Sequence, residues 1–413
     1  MTYSSPPKEH LAGIDVRTSH SELTEPVIMP GARNTTAFPI EVNFIPEPEA
    51  EAYLFDHFTF QTDHMLYIPW TLEEGWGAPE IKPYGPLELE PPSSVIQYGQ
   101  SCFEGMKAYR DATGRIALFR PDMNMKRMNS SVQRIALPPL MNTPQTFDGA
   151  ALIELIKELI RIDKRWVPSE KGRSLYIRPM MLGNERGFGL PPPTEALLLV
   201  VLSAVGPFYA HGLKYVSLYG TTEYIRAAPG GTGAYKIGGN YAPTILPSMQ
   251  VAKEGYSQNL WLHGPDHHLT EVGTMNVFVV FQREGMLDYE LATPPLNGLI
   301  LAGVTRDTLL TLARNHASGS NIIEDLPPKL IVSERLITMM EVKEAAEAGT
   351  LVEVFGAGTA VTVCPVEKIG YLNEDVHIPT GPDGMGPISR YLWAELVKRQ
   401  TAVVPSDWNI FID

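Results

Sequence analysis

Between residues 150 and 162, Leu152, Leu155, Ile156, Leu159 and Ile160 recur at helical spacing with Lys and Glu between them, and Asp148 stands just ahead. One apolar stripe with charge on the opposite face predicts a helix packed on a core. Pro121 opens a second helix, to about Ile135, because proline at a first-turn position loses nothing by lacking an N–H. Period-two patterns take over elsewhere. Residues 106–109 and 116–119, split by Asp111-Ala-Thr-Gly114, read as a hairpin, and residues 64–68 as a strand. Apolar runs at 174–182 and 196–205 predict buried strands on either side of Gly187-Phe-Gly-Leu-Pro-Pro-Pro193. Farther on, strands are expected at 260–263, 277–281, 329–332, 351–355 and 359–364, and helices at 243–254, 305–315, 341–348 and 388–399. Hairpins mixed with isolated helices predict an α+β chain rather than repeated βαβ units.

The length of 413 residues exceeds what one core usually holds. The expected division is an N-terminal extension at 1–57, a small α/β domain at 58–206, an interdomain connection at 207–216 and a large domain at 217–413. The first fifty residues are rich in Ser, Thr, Pro and Glu, with Arg only at Arg17 and Arg33. Glu9, Asp15, Glu22 and Glu25 argue against a mitochondrial presequence, so a cytoplasmic location is expected.

Charge narrows the partners. Lys plus Arg is 33 against 47 Asp plus Glu, a net −14, which leaves no basic footprint for nucleic acid or an anionic membrane. The longest apolar run, 196–202, is too short to span a bilayer. Two cysteines, Cys102 and Cys364, form neither a disulfide framework nor a zinc site, and no metal is expected. Asp266-His267-His268 lacks the ligand spacing of a zinc helix and reads as a polar turn. There is no Gly-x-Ser-x-Gly elbow for a serine hydrolase.

The densest chemistry is Gly230-Gly-Thr-Gly-Ala-Tyr-Lys-Ile-Gly-Gly-Asn-Tyr241, where Lys236 sits among five glycines just before a helix. Glycine permits close backbone approach to a ligand. A lysine in such a crowded, uncharged place is desolvated, which lowers its pKa and frees its amine as a nucleophile. The alternatives are a phosphate loop or a plain turn. It is not a P-loop, since no Gly directly precedes Lys236 and no Ser or Thr directly follows it, and it lacks the third glycine of a dinucleotide fingerprint. Glu271, in Leu269-Thr-Glu-Val-Gly-Thr-Met-Asn276, is either a satisfied core acid or a partner for a buried cation. Gly303-Val-Thr-Arg-Asp307 opens a helix, and Gly356-Ala-Gly-Thr-Ala360 is a small-residue turn; both suit an anion.

In this order the segments resemble the branched-chain amino acid aminotransferases of fold type IV, closest to their eukaryotic members. The resemblance runs through Thr62-Asp-His-Met65, Gly75-Trp-Gly77, Tyr98-Gly-Gln-Ser-Cys-Phe-Glu-Gly-Met-Lys-Ala-Tyr109 and Leu118-Phe-Arg-Pro121. It continues in Asn124-Met-Lys-Arg-Met128, Tyr176-Ile-Arg-Pro179, the lysine and Glu271 segments, Leu291-Ala-Thr-Pro-Pro295 and the two small-residue turns, over roughly residues 58 to 400.

It implies a two-domain fold, pyridoxal 5'-phosphate as cofactor, amino acids and 2-oxo acids as substrates, and a homodimer. It makes Lys236 the Schiff-base lysine, Glu271 the carboxylate facing the pyridine nitrogen, and Tyr241 the partner of the phenolic oxygen. Arg127, Val304, Thr305 and Thr359 would hold the phosphate, with Thr274 beside the cofactor. Substrate would meet Tyr98, Phe103, Tyr176, Arg178, Phe208, Thr359 and Ala360, with Leu190 arriving from the partner subunit. The implied reaction is ping-pong transfer of an amino group from L-leucine, L-isoleucine or L-valine to 2-oxoglutarate. Vertebrate relatives carry Cys-x-x-Cys after the Gly-Thr-Ala turn; here those positions are Val361 and Cys364, so their redox switch is expected to be absent. The rivals are fold type IV enzymes acting on D-amino acids, (R)-amines or aminodeoxychorismate, and a non-enzymatic sensor or scaffold. Retention of Lys236, Glu271, Arg127 and Tyr241 weighs against the last.

Overall fold

Asp148 caps the helix that the apolar stripe predicts: its Oδ1 accepts from the Ala150 and Ala151 N–H groups at 2.9 and 3.1 Å. Such a cap is worth ~1 kcal/mol. Leu152, Leu155, Ile156, Leu159 and Ile160 are all fully buried beneath it. The computed structural model describes residues 61–138, 146–206, 215–283, 288–381 and 384–412. The expected extension at 1–57, and the connection from 207 to 214 with Phe208, lie outside the described residues.

Strands β1 (His64–Thr71), β2 (Gly75–Trp76), β3 (Glu80–Pro83), β4 (Ser101–Phe103), β5 (Met106–Arg110), β6 (Ile116–Phe119), β7 (Ser174–Gly183) and β8 (Glu195–Val205) build the first sheet. Three helices accompany it: α1 (Ser94–Tyr98), α2 (Pro121–Arg134) and α3 (Gly149–Ile162). Met125, Met128 and Val132 of α2 join the buried face of α3 over Leu118, Ile177 and Val200 of the sheet.

The second sheet holds β9 (Val216–Thr221), β10 (Gln258–His263), β11 (His268–Val272), β12 (Met275–Gln282), β13 (Asp288–Thr293), β14 (Lys329–Glu334), β15 (Leu351–Gly358), β16 (Thr362–Tyr371) and β17 (Glu374–His377). Its helices are α4 (Ile245–Lys253), α5 (Val304–Ala317), α6 (Met339–Glu347) and α7 (Ser389–Gln400). Both faces of this sheet are covered. Along β12, Val277, Val279 and Phe281 enter one core while Phe278 and Val280 enter the other, with Phe278 stacked on Phe355 at 5.0 Å. Double-sided burial is why this strand reads as an unbroken apolar run.

Three features differ from expectation. Residues 359–361 form a turn, and the strand expected from 359 starts at Thr362, whose φ of 68° is left-handed. The acid segment before Val277 is itself a strand, β11, paired back onto β12. The last strand, β18 (Asn409–Phe411), leaves the large C-terminal region and pairs with β6 of the first sheet. Its register is fixed by packing, for Trp408 meets Phe119 edge to face at 6.0 Å.

Hairpin geometry brings the functional segments to one end of the second sheet. Glu271 lies opposite Asn276 across β11 and β12, and Asn276 lies opposite Ala357 across β12 and β15. The turns at Gly273-Thr274 and 359–361 therefore share an edge, where α5 also begins.

Candidate active site

Lys236 belongs to the segment between β9 and β10, yet the first sheet holds it. Its N–H donates to Ser131 Oγ of α2 at 2.9 Å, and its carbonyl accepts from the Phe103 N–H at 3.1 Å. Gly238 makes this docking feasible: a Cβ there would lie 2.4 Å from Ser101 Oγ. The lysine is thus gripped between the sheets, with its amine 3.2 Å from the Tyr241 hydroxyl and 4.7 Å from the Phe103 ring centre. Burial, and then the nearby Arg127 charge, lower its pKa to about 8. Tyr241 moves the other way. Burial and then Glu271 push its hydroxyl up to about 12, so it remains a protonated donor at neutral pH.

A cavity of about 550 Å³ surrounds the amine. Phe103, Arg127, Tyr176, Arg178 and Tyr241 line it from one side; Thr274, Val304, Thr305, Thr359 and Ala360 close it from the other. Two places suit anions. Helix α5 starts at Gly303 without a side-chain cap, so its first N–H groups remain for a ligand. In the turn, the N–H groups of Thr359, Ala360 and Val361 have no acceptor among the described residues. Lys107 of β5 holds that turn from outside, donating to the Ala360 carbonyl at 3.0 Å.

Glu271 is buried one layer behind the wall formed by Asn276 and Leu301, and is not itself among the lining residues. Its Oε1 accepts from the Leu301 N–H at 2.8 Å, and Arg226 Nη2 sits 2.8 Å from its Oε2. Burial raises its pKa and Arg226 opposes that rise. Of the two readings open from sequence, partner of a buried cation is the one observed. Arg226 carried no sequence signal; an arginine ten residues before the lysine became visible only when the chain turned back on β11.

Arg178 behaves differently. Its Nη2 donates to the Tyr176 hydroxyl at 2.9 Å, its guanidinium lies 4.7 Å from the Phe103 ring centre, and its Nε has no partner among the described residues. Tyr98 and Leu190 are not at this cavity. Tyr98 is 43% and Leu190 74% exposed, and the Tyr98 hydroxyl donates to the Phe188 carbonyl at 2.6 Å. Tyr98 and the 187–190 loop are one surface unit.

Asp63, His64 and Asp163 form a buried cluster of ligand-type groups outside the lining. Asp63 there takes Arg165 Nη2 at 2.8 Å and Trp166 Nε1 at 2.9 Å, and His64 faces Asp163. These contacts tie β1 to the end of α3. Among the described residues, no helix is long and apolar enough to cross a membrane.

Comparison with known proteins fits this geometry. Residues 101–369 match the model of the class IV amino-transferases. The mitochondrial branched-chain-amino-acid aminotransferase of Saccharomyces cerevisiae is 50% identical over 337 residues, covering 82% of this chain and 81% of that protein. Its cytosolic counterpart is 48% identical over 346 residues, covering 84% and 87%. Among solved structures, the Escherichia coli branched-chain amino acid aminotransferase shares the fold with a TM-score of 0.64 at 22% identity, over 84% of this chain and 99% of that one. The T.th. branched-chain amino acid aminotransferase complexed with N-(5'-phosphopyridoxyl)-L-glutamate aligns with a TM-score of 0.61 at 25% identity, over 84% and 98%. The two-sheet α+β fold is that of fold type IV. On sequence, fold and site together, the chain belongs to the class IV aminotransferases and, within them, to the branched-chain-amino-acid aminotransferase family.

Proposed function

We propose that this chain moves the amino group of L-leucine, L-isoleucine or L-valine to 2-oxoglutarate by a ping-pong route, with pyridoxal 5'-phosphate as cofactor. The products are branched-chain 2-oxo acids and L-glutamate. One observation carries the reading: a lysine amine with its pKa lowered to about 8 shares a cavity with two places that suit an anion, the start of α5 and the 359–361 turn, and with an arginine whose Nε is unpartnered among the described residues. The residues present fit the cofactor. The uncapped start of α5 at Val304 and Thr305, with Arg127 and Thr359, suits a phosphate, and Tyr241 can donate to a phenolic oxygen. Glu271 supports a positive ring nitrogen. When bound, the cofactor supplies an electron sink for the carbon that loses its proton.

The chain's own groups then do the rest. Lys236 attaches the cofactor and, once displaced by the incoming amine, holds and returns the proton taken from the substrate's Cα. The free N–H groups of the 359–361 turn take the substrate α-carboxylate. Phe103, Tyr176 and Tyr241 offer apolar surface to a leucine side chain. Arg178 takes the distal carboxylate of glutamate, since burying that charge unpaired would be prohibitive. The Tyr176 hydroxyl stands beside it, accepting from Arg178 Nη2 at 2.9 Å.

Tyr98 and Leu190, tethered as one unit through Phe188, reach the cavity of a second copy, which makes a homodimer the working form. The acidic make-up of residues 1–50 favours the cytoplasm, while relatives of mitochondrial and of cytosolic name both occur. Fractionation of the source cells decides between them.

The test is Lys236→Ala. The variant should lose the visible absorbance of bound cofactor and nearly all turnover. Borohydride reduction of the wild type followed by peptide mapping should find the label on Lys236; a label on another lysine sinks the assignment. Wild-type turnover of L-leucine, and none of D-alanine, separates this reading from the D-amino acid rival.

A further inference from the structure

Arg127 is gripped by a carboxylate to which the chemistry above gives no task. Glu104 lies between β4 and β5, fully buried, in the short segment that also contributes Phe103 and Gly105 to the cavity wall. Its Oε1 accepts from Arg127 Nε and its Oε2 from Arg127 Nη2, each at 2.7 Å. A fork of this kind fixes the plane of the guanidinium as well as its position. The carboxylate is itself immobilised. Oε2 also accepts from Asn124 Nδ2 at 2.7 Å and from the Gly105 N–H at 3.2 Å, and the Glu104 N–H donates to the Pro179 carbonyl at 2.8 Å.

By charge alone, an acid here works against an anion in the cavity. The donor geometry gives it a reason. Of the Arg127 donors, Nε and one N–H of Nη2 are committed to Glu104, and one N–H of Nη1 goes to the Ala302 carbonyl at 2.9 Å. The remaining N–H groups sit at the Nη1 and Nη2 end of a side chain that lines the cavity. Ala302 directly precedes Gly303, the start of α5, so the same guanidinium ties α2 to that helix N-terminus.

Resting on the reading that Arg127 holds the cofactor's phosphate, we infer that Glu104 is a positioning residue of the phosphate site. It locks one edge of Arg127, so that the opposite donors meet the phosphate in register with the first N–H groups of α5. Glu104 also offsets the effect of Arg127 on Lys236, because the two act on that amine with opposite sign.

Equilibrium binding to the cofactor-free full chain tests this, with pyridoxal 5'-phosphate and phosphate-free pyridoxal as probes. Glu104→Gln should raise the Kd of pyridoxal 5'-phosphate about tenfold and that of pyridoxal by less than about twofold, as expected for a charge-assisted contact that acts on the phosphate alone. Arg127→Met should also weaken the phosphate ligand selectively, and the double variant should be no worse than Arg127→Met alone. If Arg127→Met leaves the ratio of the two affinities unchanged, the phosphate-anchor reading itself fails. If Arg127→Met changes the ratio and Glu104→Gln does not, only the role of Glu104 fails. Tighter binding of pyridoxal 5'-phosphate to Glu104→Gln would make Glu104 a mere opposing charge, and equal weakening of both ligands would make it a structural acid; either overturns the inference. Should Glu104→Gln not fold, Glu104→Asp is read by the same ratio.

Discussion

The two ends of the cavity treat charge in opposite ways. Around Lys236 each cation and acid is matched inside the protein: Glu271 faces Arg226, and Arg127 lies on Glu104. At the Arg178 end no acid among the described residues neutralises the guanidinium, its Nη2 rests on a neutral phenol and its Nε is unpartnered there. Matched charges give a rigid frame that keeps its shape whether or not a ligand is present. Unmatched donors give a receptive surface that rewards an incoming carboxylate. On the function proposed above, charge matching separates the end that would hold the cofactor from the end that would exchange substrates of two kinds.

The frame gives way first at Glu271. If Glu271 serves the ring nitrogen as proposed, Glu271→Gln removes that charge but keeps the shape, so cofactor should remain bound while proton removal slows by about two to three orders of magnitude, at ~1.4 kcal/mol for each pKa unit of lost coupling. Stopped-flow absorbance of the leucine half-reaction reads the rate. Wild-type speed in this variant would make Glu271 a structural acid.

Arg178→Met probes the receptive end. The glutamate half-reaction should lose about 2–4 kcal/mol in kcat/KM, the usual cost of leaving a buried charge without its partner. The leucine half-reaction should suffer far less. Single-turnover measurements of both, after confirming cofactor binding, check the split; equal losses would show that Arg178 supports the site without reading the distal carboxylate.

A more modest effect, in the pH dependence of cofactor uptake, belongs to the frame end. As the proposed Schiff-base lysine, Lys236 would react with the cofactor's aldehyde only as the neutral amine, and its pKa is lowered to about 8 chiefly by burial. Association of pyridoxal 5'-phosphate with the cofactor-free chain should therefore quicken about tenfold per pH unit up to about 8 and then level off. An ordinary lysine would keep quickening to about pH 10. A rate still climbing steadily through pH 9 would contradict the desolvated amine.

What the sequence reveals of the two ends follows from their construction. The frame end is local: Lys236 and Tyr241 are five residues apart in a glycine-rich turn, and Glu271 lies in a short hairpin. Composition therefore singles out Lys236, whereas Glu271 stays open between two readings and Tyr241 is marked by the family resemblance alone. Their partners are not local, since Arg226, just past β9, meets Glu271 only because β10 pairs with both β9 and β11, and Glu104 meets Arg127 across two elements. The alternation that signals a strand also vanishes where both faces are buried, so β12 is legible as an apolar run whereas β11, short and carrying an acid, is not. The return of β18 to the first sheet is written in contacts made some 290 residues away, beyond any window of periodicity. Tyr98 shows the complementary limit. The family resemblance implies that it meets substrate, and the structure shows it outside its own cavity, tethered to Phe188 of the 187–190 loop.

Oxidation should change least of all, and the reason lies with Cys364 on the turn side of the receptive end. It lies on β16, opposite Gly356 of β15, and is buried to 2% exposure. Val361 stands where a resolving thiol would be needed, so a sulfenic acid formed at Cys364 meets no second thiol at that spacing. The other cysteine is no substitute: Cys102 is fully buried, and burial followed by the Glu104 charge pushes its thiol up, away from the reactive thiolate. Mild peroxide should therefore change leucine turnover by less than about twofold, and Cys364→Ser should respond as the wild type does. The informative comparison is turnover before oxidation, after it, and after dithiothreitol, in both proteins. Reversible loss that dithiothreitol repairs in the wild type, and that Cys364→Ser never shows, would place a working redox switch beside the 359–361 turn and make the receptive end responsive to more than its substrates.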